Sequence, residues 1–435
     1  MRPRCRAHRV IRRPSTNAAP ELGAPDLGQI AWINTPQGLE SLIDELLHED
    51  AYAIDTEFLR ERTYYPQLAL VQIGWGDRIA IVDPLAVDVA PLRRLLESDV
   101  VAVFHAADQD LEVLDLACGA VPKVMFDTQL AAGFVGFSTP SLLTLAERLV
   151  GAKLSKGDRL TDWTKRPLTD AQIRYAASDV VHLLEIRQLL LRELEASGRV
   201  TWVESESELL RARVRGQTDS AIAWWRIKDG RVLRGRDRLI AQEICAWRER
   251  KAQREDRPVR FVLPDLAVLA IAQGHPSSVA ELTAIRGMDS RYLKANGGQE
   301  LIALVKNAMG ASMDDLRLPE PDDFDRRLRP ALTLVSAWVG QLSHDVKVEA
   351  SLLATRSDLI AFLRGDQGSR LAHGWRNEVL GNRVRQVISG EAAIAFDRVR
   401  GLVLEQRSGH ELLAPIALPP TAWETDAPDH RLEGF

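Results

Sequence analysis

The chain has 435 residues, of which 46% are hydrophobic and 27% are charged, and its formal net charge is −5. This length predicts about three domains, and the composition is that of a globular protein rather than of a disordered or fibrous chain. The net charge excludes a protein that binds nucleic acid through bulk positive charge, so any basic surface must be local. Three scattered cysteines, Cys5, Cys118 and Cys245, indicate a reducing compartment without a disulfide framework.

The two ends of the chain differ from the rest in composition. The first 20 residues contain six arginines and no acid, and they lack the apolar core of a secretory signal. We expect a disordered tail over residues 1–29, with an organelle transit peptide as the alternative. A flexible acidic tail is expected over residues 411–435. No run of about 18 apolar residues occurs, so we expect no membrane span and a cytoplasmic location.

A mixed α/β domain is predicted for residues 30–205. A helix begins at Thr35 and Pro36, and a buried strand carrying two acids, Asp55 and Glu57, follows at AYAIDTEFL, Ala51–Leu59. Strands over residues 68–74 and 79–83 complete an antiparallel meander, and a fourth strand covers residues 100–104. Helical patterns follow, and this mixture of hairpin strands with strand–helix alternation predicts the fold class.

One later helix carries two candidate functional residues. Thr169 and Gln172 have the capping-box pattern of a helix N-terminus, and the helix is predicted to run to about residue 195. Tyr175 and Asp179 lie four residues apart on it, so they share one face. In isolation they would be ordinary surface residues of a helix.

The second half of the chain is predicted to be helical. A linker over residues 206–235 leads into two segments of similar length, 236–315 and 325–405, that a tandem repeat of a small helical domain would explain. Residues 231–260 hold ten Lys or Arg against five acids. This surplus is either a solvated helix face or a surface that neutralises nucleic-acid phosphates. The second interpretation is favoured if the same chain also carries a site that cuts phosphodiesters.

Four carboxylates can meet in the first domain. Asp55 and Glu57 are two apart on a strand and point to one face, where two negative charges repel unless a cation lies between them. Asp110 follows the fourth strand and Asp179 lies on the capped helix. Such a set of oxygen ligands suits two divalent ions, Mg²⁺ or Mn²⁺, and two-metal sites catalyse in-line phosphoryl displacement. Tyr175 would then orient the attacking water or help to take its proton.

The order of these motifs resembles a known superfamily. D-T-E at residues 55–57, H-A-x-x-x-D-L at 105–111 and Y-A-x-x-D at 175–179 resemble the tyrosine-bearing branch of the DEDD 3′→5′ exonucleases, and residues 156–186 resemble the ribonuclease D family. Residues 246–265 resemble the start of a helicase-and-RNase-D C-terminal (HRDC) domain, and residues 373–381 resemble part of a second one. The resemblance implies a ribonuclease H-like α/β exonuclease domain, with a mixed sheet flanked by helices, followed by two small all-α HRDC domains.

The resemblance also implies a role for each site residue. Asp55, Glu57 and Asp179 would hold the ion that carries the attacking water, and Asp55 and Asp110 would hold the ion on the leaving-group side. Asp108 competes with Asp110, but the leucine after Asp110 favours the latter. Tyr175 would lie beside the attacking water, and Thr56 and Phe58 would contact the 3′-terminal nucleotide. His105 would either approach the substrate or pack as a hydrogen-bonded histidine. Arg166 would belong mainly to the scaffold, with a phosphate contact as the lesser alternative.

The expected function is a monomeric 3′→5′ exoribonuclease. It would act on single-stranded 3′ tails of structured RNAs such as tRNA precursors and release nucleoside 5′-monophosphates. A DNA-directed exonuclease of the same superfamily is the nearest alternative, because carboxylates hold phosphates and do not distinguish sugars. A non-catalytic nucleic-acid-binding scaffold is the alternative from a different class.

Overall fold

The computed structural model describes residues 30–154, 161–213, 215, 219–285, 288, 297–319 and 324–408. The tails expected at residues 1–29 and 411–435 lie outside the described residues, as does part of the expected linker at 206–235. No helix in the part of the chain that is described is both long enough and apolar enough to span a membrane.

A six-stranded sheet forms the centre of the first domain, with the strand order β1-β4-β3-β2-β5-β6. The predicted meander is present, because β2 pairs antiparallel with β3 and β3 with β4, while β2 and β5 pair in parallel. The two outer strands, at residues 30–33 and 125–127, were not predicted. The strands are β1 (Ile30–Ile33), β2 (Ala51–Leu59), β3 (Gln67–Trp75), β4 (Arg78–Val82), β5 (Val101–Phe104) and β6 (Met125–Asp127).

Eight helices flank this sheet within the described residues. Thr35 caps the first of them by accepting a hydrogen bond from the Gly38 amide at 3.2 Å, and the capping box of Thr169 and Gln172 is present. The helices are α1 (Pro36–Leu46), α2 (Arg93–Leu96), α3 (Asp108–Cys118), α4 (Thr128–Gly133), α5 (Leu142–Leu145, continued by a π-helical turn Ala146–Val150), α6 (Asp170–Ser178), α7 (Leu183–Ser197) and α8 (Val200–Arg211).

The long helix predicted from residue 170 to about 195 is interrupted. α6 ends at Ser178 with Asp179 as its C-cap, and α7 begins at Leu183. The break lets Val180 reach the sheet, where its carbonyl oxygen lies 3.4 Å from the position that a Cβ on Gly74 would take. Periodicity did not reveal the break, because both helices keep the same apolar spacing.

A first helical unit, defined as residues 219–319, follows the first domain. Its helices are α9 (Gly235–Glu255), α10 (Val259–Val262), α11 (Asp265–Gly274), α12 (Val279–Ala284) and α13 (Gly298–Gly310). They surround a core of their own, in which the helix α9 contributes buried residues along most of its length.

A second helical unit is defined as residues 324–408. Its helices are α14 (Arg329–Val346), α15 (Ala350–Leu353), α16 (Arg356–Leu363), α17 (Gly374–Arg376) and α18 (Asn382–Ile388), with a π-helical turn at Asn377–Gly381. The expectation of an all-α unit was wrong here, because the antiparallel hairpin β7 (Ala392–Asp397) and β8 (Gly401–Gln406) ends it. Gly401 closes the hairpin with a φ of 77°, which a residue with a Cβ rarely adopts.

The boundary expected at residue 205 falls inside the helix α8, so it needs correction. Glu206 on this helix is only 6% exposed, and its carboxylate pairs with Arg370 and Arg376 of the second unit. The polar composition around residue 206 predicted a linker. The sequence does not distinguish a buried glutamate that pairs with arginines from a solvent-exposed one, because the partners are distant in the chain.

Candidate active site

The two acids on β2 and the acid that follows α6 meet at one point. One carboxylate oxygen from each of Asp55, Glu57 and Asp179 lies within 4.8 Å of the others. β2 places the first two on one face of the sheet because side chains alternate along a strand. The C-cap position brings Asp179 to them, so the helix break is part of the site's construction.

The fourth acid is held by the strand residue between the other two. Asp110, in the first turn of α3, accepts hydrogen bonds from the Thr56 amide at 3.1 Å and from the Thr56 hydroxyl at 2.5 Å. Asp108 is instead exposed and pairs with Arg213 at 3.2 Å. The structure therefore brings Asp110 rather than Asp108 to the acid cluster. Thr56 is 5% exposed and orients Asp110. It also lines the cleft beside the acids, so its expected contact with the nucleotide stays a prediction.

Burial and mutual repulsion raise the pKa values of the acids. Burial, followed by the charges of Asp110, Asp179 and Glu57, raises the pKa of Asp55 well above its usual range. Burial is also the main cause that raises the pKa of Glu57 to about 8 and the pKa values of Asp110 and Asp179 to about 7. A cation would remove this repulsion, and oxygen ligands alone suit a hard divalent ion. The residues present therefore fit divalent metal ions.

Tyr175 stays protonated beside this cluster. Burial and the charge of Asp179 raise its pKa far above the usual value for tyrosine, and its hydroxyl hydrogen-bonds Asp179. Its ring stacks on Trp163 with the ring centres 6.1 Å apart. A tyrosine of this kind acts as a hydrogen-bond donor at neutral pH rather than as a base.

His105 is packed into the turn between β5 and α3. Because the Thr128 hydroxyl donates to the Phe104 carbonyl at 2.9 Å, it accepts from Nδ1 of His105, which lies 2.9 Å away. Burial lowers the pKa of His105 and favours the neutral ring. These contacts favour the packed alternative over a contact with substrate.

The same turn is also held by Asp127, the last residue of the strand β6. Asp127 caps α4 and also accepts hydrogen bonds from the amides of Ala106 and Ala107, at 3.0 Å and 2.9 Å. Ala106 has a φ of 63°, which is unusual for a residue with a Cβ. Asp127 thereby holds the turn that leads into the helix bearing Asp110.

Arg166 belongs to the scaffold. Its guanidinium donates to both carboxylate oxygens of Asp83, at 2.8 Å and 2.7 Å, and to the carbonyls of Trp163, Lys165 and Ala69. An arginine has five N–H donors, and these contacts use all of them. The lesser expectation, a phosphate contact by Arg166, therefore has no donor left to support it.

A cleft of about 660 Å³ opens beside the acids. Phe58 lines it, as expected for a residue that contacts the nucleotide. The sequence did not indicate Leu210, Glu349, Ser351 and Leu352, which line the same cleft from α8 and the second unit. No motif signals these residues, because only the packing of distant segments brings them to the acids.

Family comparisons agree with this geometry. A family model described as 3′-5′ exonuclease matches residues 30–195, and an HRDC domain model matches residues 237–305. The fold and the acidic site thus define a metal-dependent 3′→5′ exonuclease with a helical HRDC domain.

The relatives define the family more narrowly. The chain is 36% identical over 372 residues to ribonuclease D of Granulibacter bethesdensis, covering 84% of this chain and 94% of that one, and 37% identical over 378 residues to ribonuclease D of Gluconacetobacter diazotrophicus, covering 85% and 95%. The crystal structure of Escherichia coli RNase D matches with a TM-score of 0.74 and 32% identity, covering 83% of this chain and 99% of that one. The chain belongs to the ribonuclease D family and is a 3′→5′ exoribonuclease.

A more distant structure shares the same organisation. The catalytic core of RRP6 from Trypanosoma brucei matches with a TM-score of 0.56 and 27% identity, covering 68% of this chain and 84% of that one.

Proposed function

We propose that the chain trims the 3′ ends of structured RNAs, tRNA precursors among them, and releases nucleoside 5′-monophosphates. The convergence of three carboxylates within 4.8 Å, with a fourth held beside them by Thr56, is the observation that carries the proposal. The similar Escherichia coli RNase D is described as an exoribonuclease involved in structured RNA processing, which supports the choice of substrate.

The acids are proposed to hold two ions, Mg²⁺ or Mn²⁺. Asp55, Glu57 and Asp179 would bind one of them, and Asp55 and Asp110 the other. When bound, such ions supply charge stabilisation to both the attacking and the leaving oxygen of an in-line displacement. Tyr175, which keeps its proton, would orient the attacking water by hydrogen bonding. Water adds to the terminal phosphorus, the bond to the 3′ oxygen of the preceding nucleotide breaks, and that oxygen takes a proton.

The remaining parts of the nucleotide need other contacts. Phe58 lines the cleft next to the acids and is proposed to contact a base, and base–aromatic stacking contributes roughly 1–3 kcal/mol. The basic stretch 231–260 is proposed to bind backbone phosphates without reading sequence. Arg248 does not belong to that surface, because its side chain is 5% exposed and pairs with Asp265.

A labelled RNA with a 3′ single-stranded tail tests the proposal. We expect Mg²⁺ or Mn²⁺ to support a ladder that shortens from the 3′ end and EDTA to abolish it. Asp55→Asn should lower the rate by about 100-fold or more, because it removes a ligand shared by both ions. Asp115→Asn is the matched control and should retain activity, since Asp115 is exposed on the helix α3 and does not line the cleft.

Three further comparisons refine the substrate. Matched RNA and DNA strands separate an exoribonuclease from the DNA-directed alternative, and equal rates would count against the RNA assignment. Equal rates on a 3′-tailed and a blunt hairpin would count against the preference for single-stranded tails. If the chain binds RNA in a salt-sensitive way but degrades it with no divalent ion, the non-catalytic nucleic-acid-binding scaffold would be the correct alternative. The monomeric state is also proposed, and sedimentation of the full chain tests it.

A further inference from the structure

The cleft at the acids is not built by the exonuclease domain alone. Glu349, Ser351 and Leu352 of the second helical unit line it together with Asp55 and Glu57. These three residues lie in and beside the single-turn helix α15. They belong to none of the motifs that identify the exonuclease domain.

Contacts from the exonuclease domain and from the second unit hold α15 in place. The amide of Glu349 donates to the carbonyl of Gly133 at 2.8 Å, and Nε of Arg376 donates to the carbonyl of Leu352 at 2.8 Å. A Cβ added to Gly133 would lie only 2.6 Å from Cδ1 of Leu352. The side chain of Leu352 therefore packs on the bare backbone of Gly133 at the end of α4, and its position is fixed from both domains.

The cleft offers two kinds of surface to a nucleotide. Its acids suit the metal-bound phosphate. Its apolar side chains suit the flat face of a nucleobase, because contact between the two removes apolar surface from water. Leu352 is half-buried, so it keeps apolar surface open to an incoming group. The apolar side chains that line the cleft are Phe58, Leu130, Leu210 and Leu352.

We infer that Leu352 is a substrate-binding residue that contacts the base of one of the last two nucleotides at the RNA 3′ end. The second unit thereby completes the nucleotide site, in addition to packing on the exonuclease domain. The inference rests on the proposed function, because it assigns a part of the RNA to this side chain.

Abasic RNAs test the contact directly. Three 5′-labelled single strands are compared: one unmodified, one lacking the terminal base and one lacking the penultimate base. Wild type should prefer the unmodified strand in kcat/KM over at least one abasic strand. Leu352→Ala should reduce this preference by about fivefold, because the base then loses its apolar neighbour. Leu334→Ala, on the exposed surface of α14 in the same unit, should keep the preference of wild type.

Gly133→Ala provides a second variant. Its methyl group must displace Leu352, so it should reduce the same preference, and it should add little when combined with Leu352→Ala.

The possible outcomes separate the inference from the proposed function. A variant that merely loosens the fold would slow all three RNAs by one factor, and that result for Leu352→Ala would overturn the inference, as would an unchanged preference. If wild type degrades none of the three strands with Mg²⁺ or Mn²⁺, the proposed function fails and the inference fails with it.

Discussion

The two helical units are joined to the exonuclease domain in different ways. The second unit shares one continuous hydrophobic cluster with it, in which Leu194 and Val203 lie together with Val335 and Trp338. The first unit has a separate core, and Tyr64 is the one exonuclease-domain side chain packed against that core among the described residues. The second unit thus shares its hydrophobic core with the exonuclease domain, whereas the first unit is a module with its own core.

The polar contacts repeat the contrast. Glu206 of α8 is buried and pairs with both Arg370 and Arg376 of the second unit, while Trp202 stacks on Trp375 with the ring centres 4.7 Å apart. The side chains of Glu206 and Arg376 are only 6% and 4% exposed, and an unpaired charge in such a buried position is costly.

The first unit is held by a smaller set of hydrogen bonds. The amides of Tyr64 and Tyr65 both donate to Asp256 at 3.0 Å, and the Tyr64 hydroxyl donates to Glu249 at 2.8 Å. Gln253 donates to the same hydroxyl at 3.0 Å. The loop that makes these contacts follows β2 directly, so the first unit is attached to the chain segment that leaves the strand carrying Asp55 and Glu57.

The difference suggests a division of labour. The second unit contributes a wall of the cleft and must stay docked for the site to be complete. The first unit can open locally without disturbing the core of the exonuclease domain, because segments with few buried contacts open at low free-energy cost.

Among the substitutions, the largest effect is expected from breaking the buried ion pairs of the second unit. Glu206→Ala leaves Arg376 buried and unpaired, which should lower the free energy of unfolding by about 3–5 kcal/mol in urea titrations. Glu208→Ala on the same helix is the matched control. Its side chain is 59% exposed and pairs only with Arg211, so a loss within about 0.5 kcal/mol is expected. Equal losses of stability in the two variants would show that the buried ion pairs of Glu206 contribute no more than an exposed pair.

A change in pH should alter the stability of the acid cluster without any substitution. The pKa values of Glu57, Asp110 and Asp179 are about 7 to 8 in the folded metal-free protein, whereas the ordinary pKa values of these acids in an unfolded chain are 3.8 to 4.5. Stability should therefore fall as pH rises from about 5 to about 8, by about 1.4 kcal/mol per pH unit for each excess proton bound in the folded state.

Thermal unfolding in EDTA measures this pH dependence. Asp55→Asn should flatten it, and Mg²⁺ should raise the melting temperature most at the alkaline end, where the acids are charged. Hydrogen exchange should then show added protection in the exonuclease domain and the second unit, with little change in the first unit. A stability that rises over the same pH range in EDTA would contradict the prediction.

The smallest effect is expected at the attachment of the first unit. Tyr64→Phe removes the hydroxyl that bonds Glu249 and Gln253, which should weaken docking by about 1 kcal/mol and speed hydrogen exchange at the loop before β3. Tyr65→Phe is the control, because Tyr65 binds Asp256 through its amide. An effect as large as that of Glu206→Ala would mean that the two attachments are equivalent.

Most of the fold and the acid cluster could be predicted from sequence. The strand that carries Asp55 and Glu57, the meander after it and the capping box at Thr169 all depend on neighbours within a few residues. The break at Asp179 could not be predicted, because apolar spacing continues across it. The hairpin at the end of the second unit was also missed, because that unit was expected to be all-α.

The sequence by itself determined which chemistry is possible, since four acids and Tyr175 in this order define the family and its reaction. Only the tertiary structure decided which groups serve that chemistry. The packing brings Asp110 rather than Asp108 to the acid cluster, uses all the donors of Arg166 in the scaffold, and places Leu352 at the cleft. The physical reason is range: helix and strand periods encode contacts between near neighbours, whereas a buried pair or a cleft wall forms only when distant segments pack together.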